Sequence, residues 1–184
     1  MKELAYITDK DIIGKEGLTS KPPRMTSRAF LFNDKGEAAV AFLEKVDFYN
    51  IPGGGMNEGE TPEQCLKREI LEETGYECEI LAYLGYVLEN RGQADFSTRS
   101  DFFAARVSGS FKGIDLTERE RELNARILWV SVDKLKELIL YANKNGYREE
   151  FQKRRNTAAV KALEEWLDSG GKHIIEKQRS SSHL

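Results

Sequence analysis

Glu69, Glu72 and Glu73 stand close together, directly after Arg68, with Gly53, Gly54 and Gly55 upstream and Gly75 just beyond. If the segment is helical, the three glutamates are related by i, i+3 and i+4, and their carboxylates share one face. Two carboxylates about 4 Å apart repel by roughly 4 kcal/mol at an effective dielectric of 20, so an inward-facing cluster needs a compensating cation. Hard, oxygen-only ligands suit Mg²⁺ or Mn²⁺ and leave positions for water and phosphate oxygens. A solvated acidic helix face is the alternative meaning of the same residues.

The flanking residues say how these side chains are positioned. Thr61 followed by Gln64 is a capping box, and Pro62 occupies the first helical position. Gly75 supplies the left-handed residue that commonly ends a helix. The spacing predicts a helix over 62–74, roughly 20 Å long at 1.5 Å per residue. On its wheel Cys65, Leu66 and Ile70 span about 140°, and the glutamates fall within or beside that arc, which argues against a solvated face. Ile51-Pro52-Gly53-Gly54-Gly55 reads as a strand end entering a glycine-rich loop, where backbone can approach a ligand closely. A plain tight turn is the alternative.

From Gly54, five residues lead to Glu60 and seven more to Arg68-Glu69; Ile70, Glu72-Glu73, Gly75 and Tyr76 follow. The pattern resembles the Nudix box of the MutT-like hydrolases, with every specified position filled. The resemblance implies an α/β/α sandwich around a central mixed sheet. It also implies Mg²⁺- or Mn²⁺-dependent hydrolysis of the diphosphate linkage in a nucleoside diphosphate joined to another group, X. Glu69 and Glu73 then correspond to the principal metal ligands, with Glu72 a third acting through water. A backbone carbonyl of Gly53 or Gly54 joins them, and Gly53, Gly54 and Gly55 form the diphosphate loop. Arg68 and Glu60 resemble the residues that hold loop and helix together, although an ordinary i, i+4 pair with Glu72 is the alternative for Arg68.

A general base in such enzymes often comes from an acidic loop outside the box. Here the segment 116–122, ahead of the strand carrying Trp129, offers Glu122 as first choice and Glu120 as second; a charged surface turn is the alternative. Of possible substrates, a nucleoside triphosphate cleaved by a MutT-like pyrophosphohydrolase is favoured. A nucleotide sugar of the ADP-ribose type is the runner-up, and a non-catalytic nucleotide sensor is the third reading. Phe48 and Tyr49 offer rings for base stacking or for the core, and Arg91 and Arg99 suit phosphate or plain surface charge.

The 184 residues fit one domain with a sizeable core. A net charge of −3 gives no electrostatic case for bulk nucleic acid. No apolar stretch approaches the roughly 20 residues that span a bilayer, and the N-terminus lacks a signal-peptide hydrophobic region. Cys65 and Cys78 show no metal spacing, and Cys65 reads as a packed, reduced thiol. His173 and His183 lie in a polar tail, which disfavours histidine-based catalysis. The expectation is a cytoplasmic enzyme with a small nucleotide substrate, and a homodimer is compatible with it.

Along the chain, residues 1–24 read as an N-terminal segment with a short strand and a connection. A Nudix hydrolase domain is expected over 25–145, a C-terminal helix packed on it over 146–170 and a mobile tail over 171–184, so truncation after Gly170 should leave the fold intact. Strands are predicted at 29–32 and 38–43 around an Asn33–Gly36 turn, at 48–51, 79–88, 97–107 and 127–130, with a polar loop around 90–95. Ser131 caps a helix to about Asn143. A last helix covers 148–167, its Lys153-Arg154-Arg155 cluster reading as a solvated face, and Gly170-Gly171 ends it.

Overall fold

Asn33 reverses the chain at the first hairpin: its Oδ1 accepts the N–H groups of Lys35 and Glu37 at 3.0 and 2.9 Å. The computed structural model describes residues 1–142 and 145–175. Its strands are β1 (Glu3–Thr8), β2 (Arg24–Phe32), β3 (Ala38–Leu43), β4 (Phe48–Asn50), β5 (Gly53–Gly55), β6 (Glu77–Arg91), β7 (Phe96–Ser108) and β8 (Ala125–Val130). The helices are α1 (Asp9–Ile13), α2 (Pro62–Thr74), α3 (Glu118–Glu122), α4 (Val132–Glu137) and α5 (Tyr147–Trp166).

All eight strands join one mixed sheet. β1 runs parallel to β6, β6 antiparallel to β7, and β7 parallel to β2. The β2–β3 hairpin pairs only at Phe32 and Ala38, after which the strands part. β5 then pairs with the start of β2, while β4 and β8 flank β3. This splay lets the glycine strand β5 lie beside β2, opposite α2.

Alternation along β2 and β7 builds a core on each face. Ala29, Leu31, Phe103 and Ala105 meet Leu66 and Ile70 of α2 on one side. Phe30, Phe32, Phe102 and Ala104 meet Leu135 of α4 and Phe151, Ala159 and Leu163 of α5 on the other. Helices on both faces of a mixed sheet make the α/β/α sandwich that the sequence led us to expect.

Four local readings need correction. The N-terminal segment adds α1 after its strand, because Asp11 accepts the Thr8 N–H at 2.8 Å and starts a turn. Asn90 and Arg91 belong to β6, since a single turn over 92–94 closes the β6–β7 hairpin in place of a polar loop. The acidic segment before β8 is the short helix α3, capped by Thr117, whose hydroxyl accepts from the Glu120 N–H. The helix capped by Ser131 narrows to α4 and a wide turn over Leu138–Ala142, and its expected end at Asn143 lies outside the described residues.

At the C-terminal end Gly170 leaves helical geometry at φ 120°, as its position after Trp166 suggested, but helix resumes over 172–175. Ile175 packs against the larger core, and Gly171 is buried where a Cβ would sit 2.6 Å from the Trp166 ring. His183 and the rest of the tail from residue 176 lie outside the described residues.

Candidate active site

α2 forms as its ends dictate. Thr61 Oγ1 accepts from the Gln64 N–H at 3.2 Å, the Thr61 N–H donates to Gln64 Oε1 at 2.9 Å, and Gly75 closes the helix at φ 75°. Cys65, Leu66 and Ile70 are fully buried, which fixes the rotation of the helix and turns the glutamates toward β5.

β5 approaches this face so closely that side chains would not fit. A Cβ on Gly53, at φ 124°, would lie 2.1 Å from the Ser27 carbonyl oxygen, and one on Gly54 would lie 2.3 Å from Glu69 Oε2. The Gly53 N–H donates to Glu73 Oε2 at 2.9 Å. Arg28 steadies the loop from behind, donating to the Ile51 and Gly53 carbonyls at 2.7 and 3.1 Å. Desolvation pushes the Glu73 carboxyl up to about 8, against the opposing pull of the Gly53 N–H and Arg28. Burial likewise raises Glu69.

Arg68 ties the loop to the helix. It donates to both Glu60 oxygens at 2.6 and 2.9 Å, to the Gly55 carbonyl at 2.9 Å, to Glu69 at 2.7 Å and to Glu72 at 3.2 Å. Glu60 also accepts the Asn57 N–H at 2.8 Å, and its bonds to Arg68 hold its carboxyl down at about 2. The i, i+4 pair with Glu72 and the loop-holding contacts therefore coexist in one side chain.

The donor set suits a hard divalent cation: carboxylates destabilised by burial beside a glycine cradle gain most from a positive charge. Among the described residues, no three or more acidic, histidine or cysteine side chains converge as a ready-made cage. Glu69 and Glu72 are instead drawn onto Arg68.

The family model for the NUDIX domain matches residues 22–151. The chain belongs to the Nudix family. A putative 8-oxo-dGTP diphosphatase of Bacillus subtilis is 30% identical over 112 residues, 60% of this chain and 69% of that protein. An RNA pyrophosphohydrolase of Rhodospirillum rubrum is 34% identical over 131 residues, 65% of this chain and 79% of that one. The crystal structure of a UDP-X diphosphatase superposes with a TM-score of 0.54 at 14% identity, covering 79% of this chain and 65% of its own, a likeness of fold alone. The protein is thus a Nudix hydrolase acting on diphosphate bonds, and Nudix hydrolases generally use a divalent metal.

Around the Nudix box the structure sorts the remaining candidates. Glu120 lines a cavity of about 490 Å³ with Gly53, Glu73 and Arg28, and its charge raises both Glu69 and Glu73. Glu122, the first choice from sequence, is exposed and paired with Arg119 at 3.4 Å, a turn of helix away. Phe48 lines the same cavity, whereas Tyr49 stacks on Phe42 with ring centroids 4.5 Å apart. Arg99 is held by buried Asp101 at 2.9 Å and lies over the Tyr86 ring.

Arg155 overturns its reading as part of a solvated face. It is 7% exposed and donates to Asn50 and Asn156 at 3.0 Å. The signal was available: Arg155 sits four residues after Phe151 and four before Ala159, on the buried stripe of α5. Arg148 shares the spacing of that stripe, three residues before Phe151 and seven before Arg155, whereas Arg24 and Arg28, which also line cavities beside the box, carry no comparable pattern.

Proposed function

We propose that this Nudix hydrolase cleaves nucleoside triphosphates as a MutT-like pyrophosphohydrolase, with Mg²⁺ or Mn²⁺ held by Glu69, Glu73 and, through water, Glu72. The observation that carries the reading is the Glu73 carboxylate, bonded to the Gly53 N–H at the wall of a cavity that Arg28 and Glu120 also line. The cation, when bound, neutralises diphosphate oxygens and lowers the pKa of a bound water. Gly53, Gly54 and Gly55 let the loop backbone come close to the substrate, and Arg68 with Glu60 keeps that loop against the helix. Glu120 is now the preferred base, because it shares a cavity with Glu73 and can accept a proton from the attacking water there. The names borne by relatives such as the RNA pyrophosphohydrolase favour, as a second reading, the 5′-triphosphate end of RNA.

Two buried free thiols, Cys65 and Cys78, suit a reducing compartment such as the cytoplasm. Among the described residues no helix is long and apolar enough to cross a membrane. Turnover under Mg²⁺ and under Mn²⁺ tests the function against nucleoside triphosphates, 8-oxo-dGTP, ADP-ribose and a 5′-triphosphorylated oligoribonucleotide. Preference for a triphosphate with pyrophosphate release supports the first reading. Preference for ADP-ribose replaces it with a nucleotide-sugar hydrolase.

A further inference from the structure

A second cavity, of about 390 Å³, opens beside the first between β2, β7 and α5. Arg24, Arg28, Arg91, Arg148 and Arg155 line it, and no carboxylate does. Glu89 is fully buried behind Arg91, to which it is hydrogen-bonded, and lies 3.8 Å from Arg155 Nη1, while Glu73 and Glu69 act on Arg28 from the neighbouring site. Five guanidiniums line the cavity, while the carboxylates that act on them, Glu89, Glu73 and Glu69, all stand outside its lining, so the surface it presents to a ligand is positive.

Arg28 and Arg155 are held out of water without full compensation, whereas Arg24 and Arg148 are exposed. Arg28 Nε and Glu89 Oε1 are buried without a hydrogen-bond partner. Burial and repulsion from Arg28 disfavour the charged form of Arg155. Arg24 and Arg148 make no ion pair among the described residues. Gathering five like charges around one cavity, with Arg28 and Arg155 desolvated, is unfavourable unless an anion joins them, and guanidinium forks match phosphate oxygens. The two cavities share Arg28, Phe48, Asn50 and Arg148 as a common wall, so a ligand held at Gly53 and Glu73 can extend into the arginines. Phe48 and Phe96 add apolar rings to an otherwise polar lining.

We propose that this arginine cavity binds a phosphate of the substrate lying beyond the scissile diphosphate, so that the enzyme selects nucleoside polyphosphates over nucleotide sugars with a neutral X group. The proposal rests on the placement of the scissile diphosphate at Gly53 and Glu73. It names what the neighbouring space must recognise.

The test uses the full chain in EDTA, where uncompensated box carboxylates repel phosphate and affinity therefore reports the arginines. ADP-ribose, ADP, ATP and adenosine 5′-tetraphosphate are titrated by calorimetry at two salt concentrations. Affinity should climb from ADP to ATP to the tetraphosphate and fall with salt. ADP-ribose should bind no better than ADP. Arg24→Gln and Arg148→Gln, both exposed enough to leave the fold intact, should each weaken ATP binding about tenfold, the scale of a lost charged hydrogen bond. Lys153→Gln removes a cation of α5 that lies over the Tyr141 ring, outside this cavity, and should bind as wild type.

Equal affinity for ADP-ribose and ATP, or wild-type binding by both arginine variants, would overturn the proposal. So would an equal loss in Lys153→Gln, which would mark general charge attraction. Turnover is read separately with Mg²⁺. A protein that binds ATP through Arg24 and Arg148 but hydrolyses none of the nucleotides keeps the anion site and sinks the catalytic reading. A protein that hydrolyses ADP-ribose and ATP alike, unaffected by either substitution, does the reverse.

Discussion

Gly53 and Glu73 meet across the loop that separates β5 from α2, the amide N–H of one on the carboxylate of the other at 2.9 Å. This contact seats a glutamate of the helix on the glycine strand. It also leaves that glutamate in an environment that resists its charge, since desolvation outweighs both the amide and Arg28. Under the function proposed above, a cation bound there would relieve an unfavourable state built into the fold.

The first prediction follows from that state. Desolvation pushes the Glu73 carboxyl up to about 8 in the folded chain, well above the ordinary glutamate range, so in the window between the two folded protein holds a proton that unfolded protein has already released. Without metal, stability should fall as pH rises through that window, because the folded state binds more protons there. Glu73→Gln should flatten the slope and leave the fold as stable or more so, while metal affinity and turnover drop steeply. Urea denaturation in EDTA at pH 5, 7 and 9 reads the slope, and calorimetric titration with Mn²⁺ reads the affinity. A variant with wild-type turnover would remove Glu73 from the metal set.

Arg68 gives the second. Its guanidinium joins Glu60, Gly55, Glu69 and Glu72, so Arg68→Ala frees the loop and also leaves three carboxylates without their shared cation. The rate should fall by an order of magnitude or more while Mn²⁺ still binds, since the ligand carboxylates remain. Complete loss of metal binding, or an unchanged rate, would reject the supporting role.

Much of this was legible because the box is local. The Thr61–Gln64 cap, Gly75 and the apolar arc of α2 specify a helix and its rotation within one short segment, and the glutamates follow as a matter of geometry. Strand existence was legible for the same reason, through alternation and turn residues such as Asn33 and Gly36. The arginine cavity was not, because its members come from β2, β6 and α5 and meet only through tertiary packing. Only the α5 members left a trace, Arg148 and Arg155 being cations at the spacing of its buried stripe. The choice between Glu120 and Glu122 was equally hidden: both fit an acidic segment before β8, and only the turn imposed by Thr117 decides which one looks into the cavity.

The C-terminal end supplies the third prediction. Because Ile175 packs on the core and Gly171 nests against Trp166, truncation after Gly170 should cost stability, contrary to the reading from sequence. Losing one partly buried isoleucine amounts to about 1 kcal/mol, or about 2–4 °C in Tm for a chain of this size. Truncation after Ile175 should leave Tm unchanged. Thermal melts of the two shortened chains beside the full one decide it, and equal Tm values for all three would show that the 171–175 turn adds nothing.

The last prediction concerns the base. Glu120 accepts from the Thr117 N–H and hydroxyl at 2.8 and 2.7 Å, so its carboxylate caps α3 while lining the cavity with Glu73. Glutamine serves the same position of a capping box, so Glu120→Gln keeps α3 and removes only the charge. If Glu120 takes the proton from water, kcat should fall about 10²–10⁴-fold, KM should move little, and the acidic limb of the pH–rate profile should vanish. Glu122→Gln is the matched control, since it breaks an exposed pair with Arg119 and should cost little. A large loss in Glu122→Gln with none in Glu120→Gln would restore the order read from sequence and require α3 to turn on substrate binding. If neither substitution matters, the base lies outside α3, with Glu72 the next candidate, and α3 serves only to close the cavity.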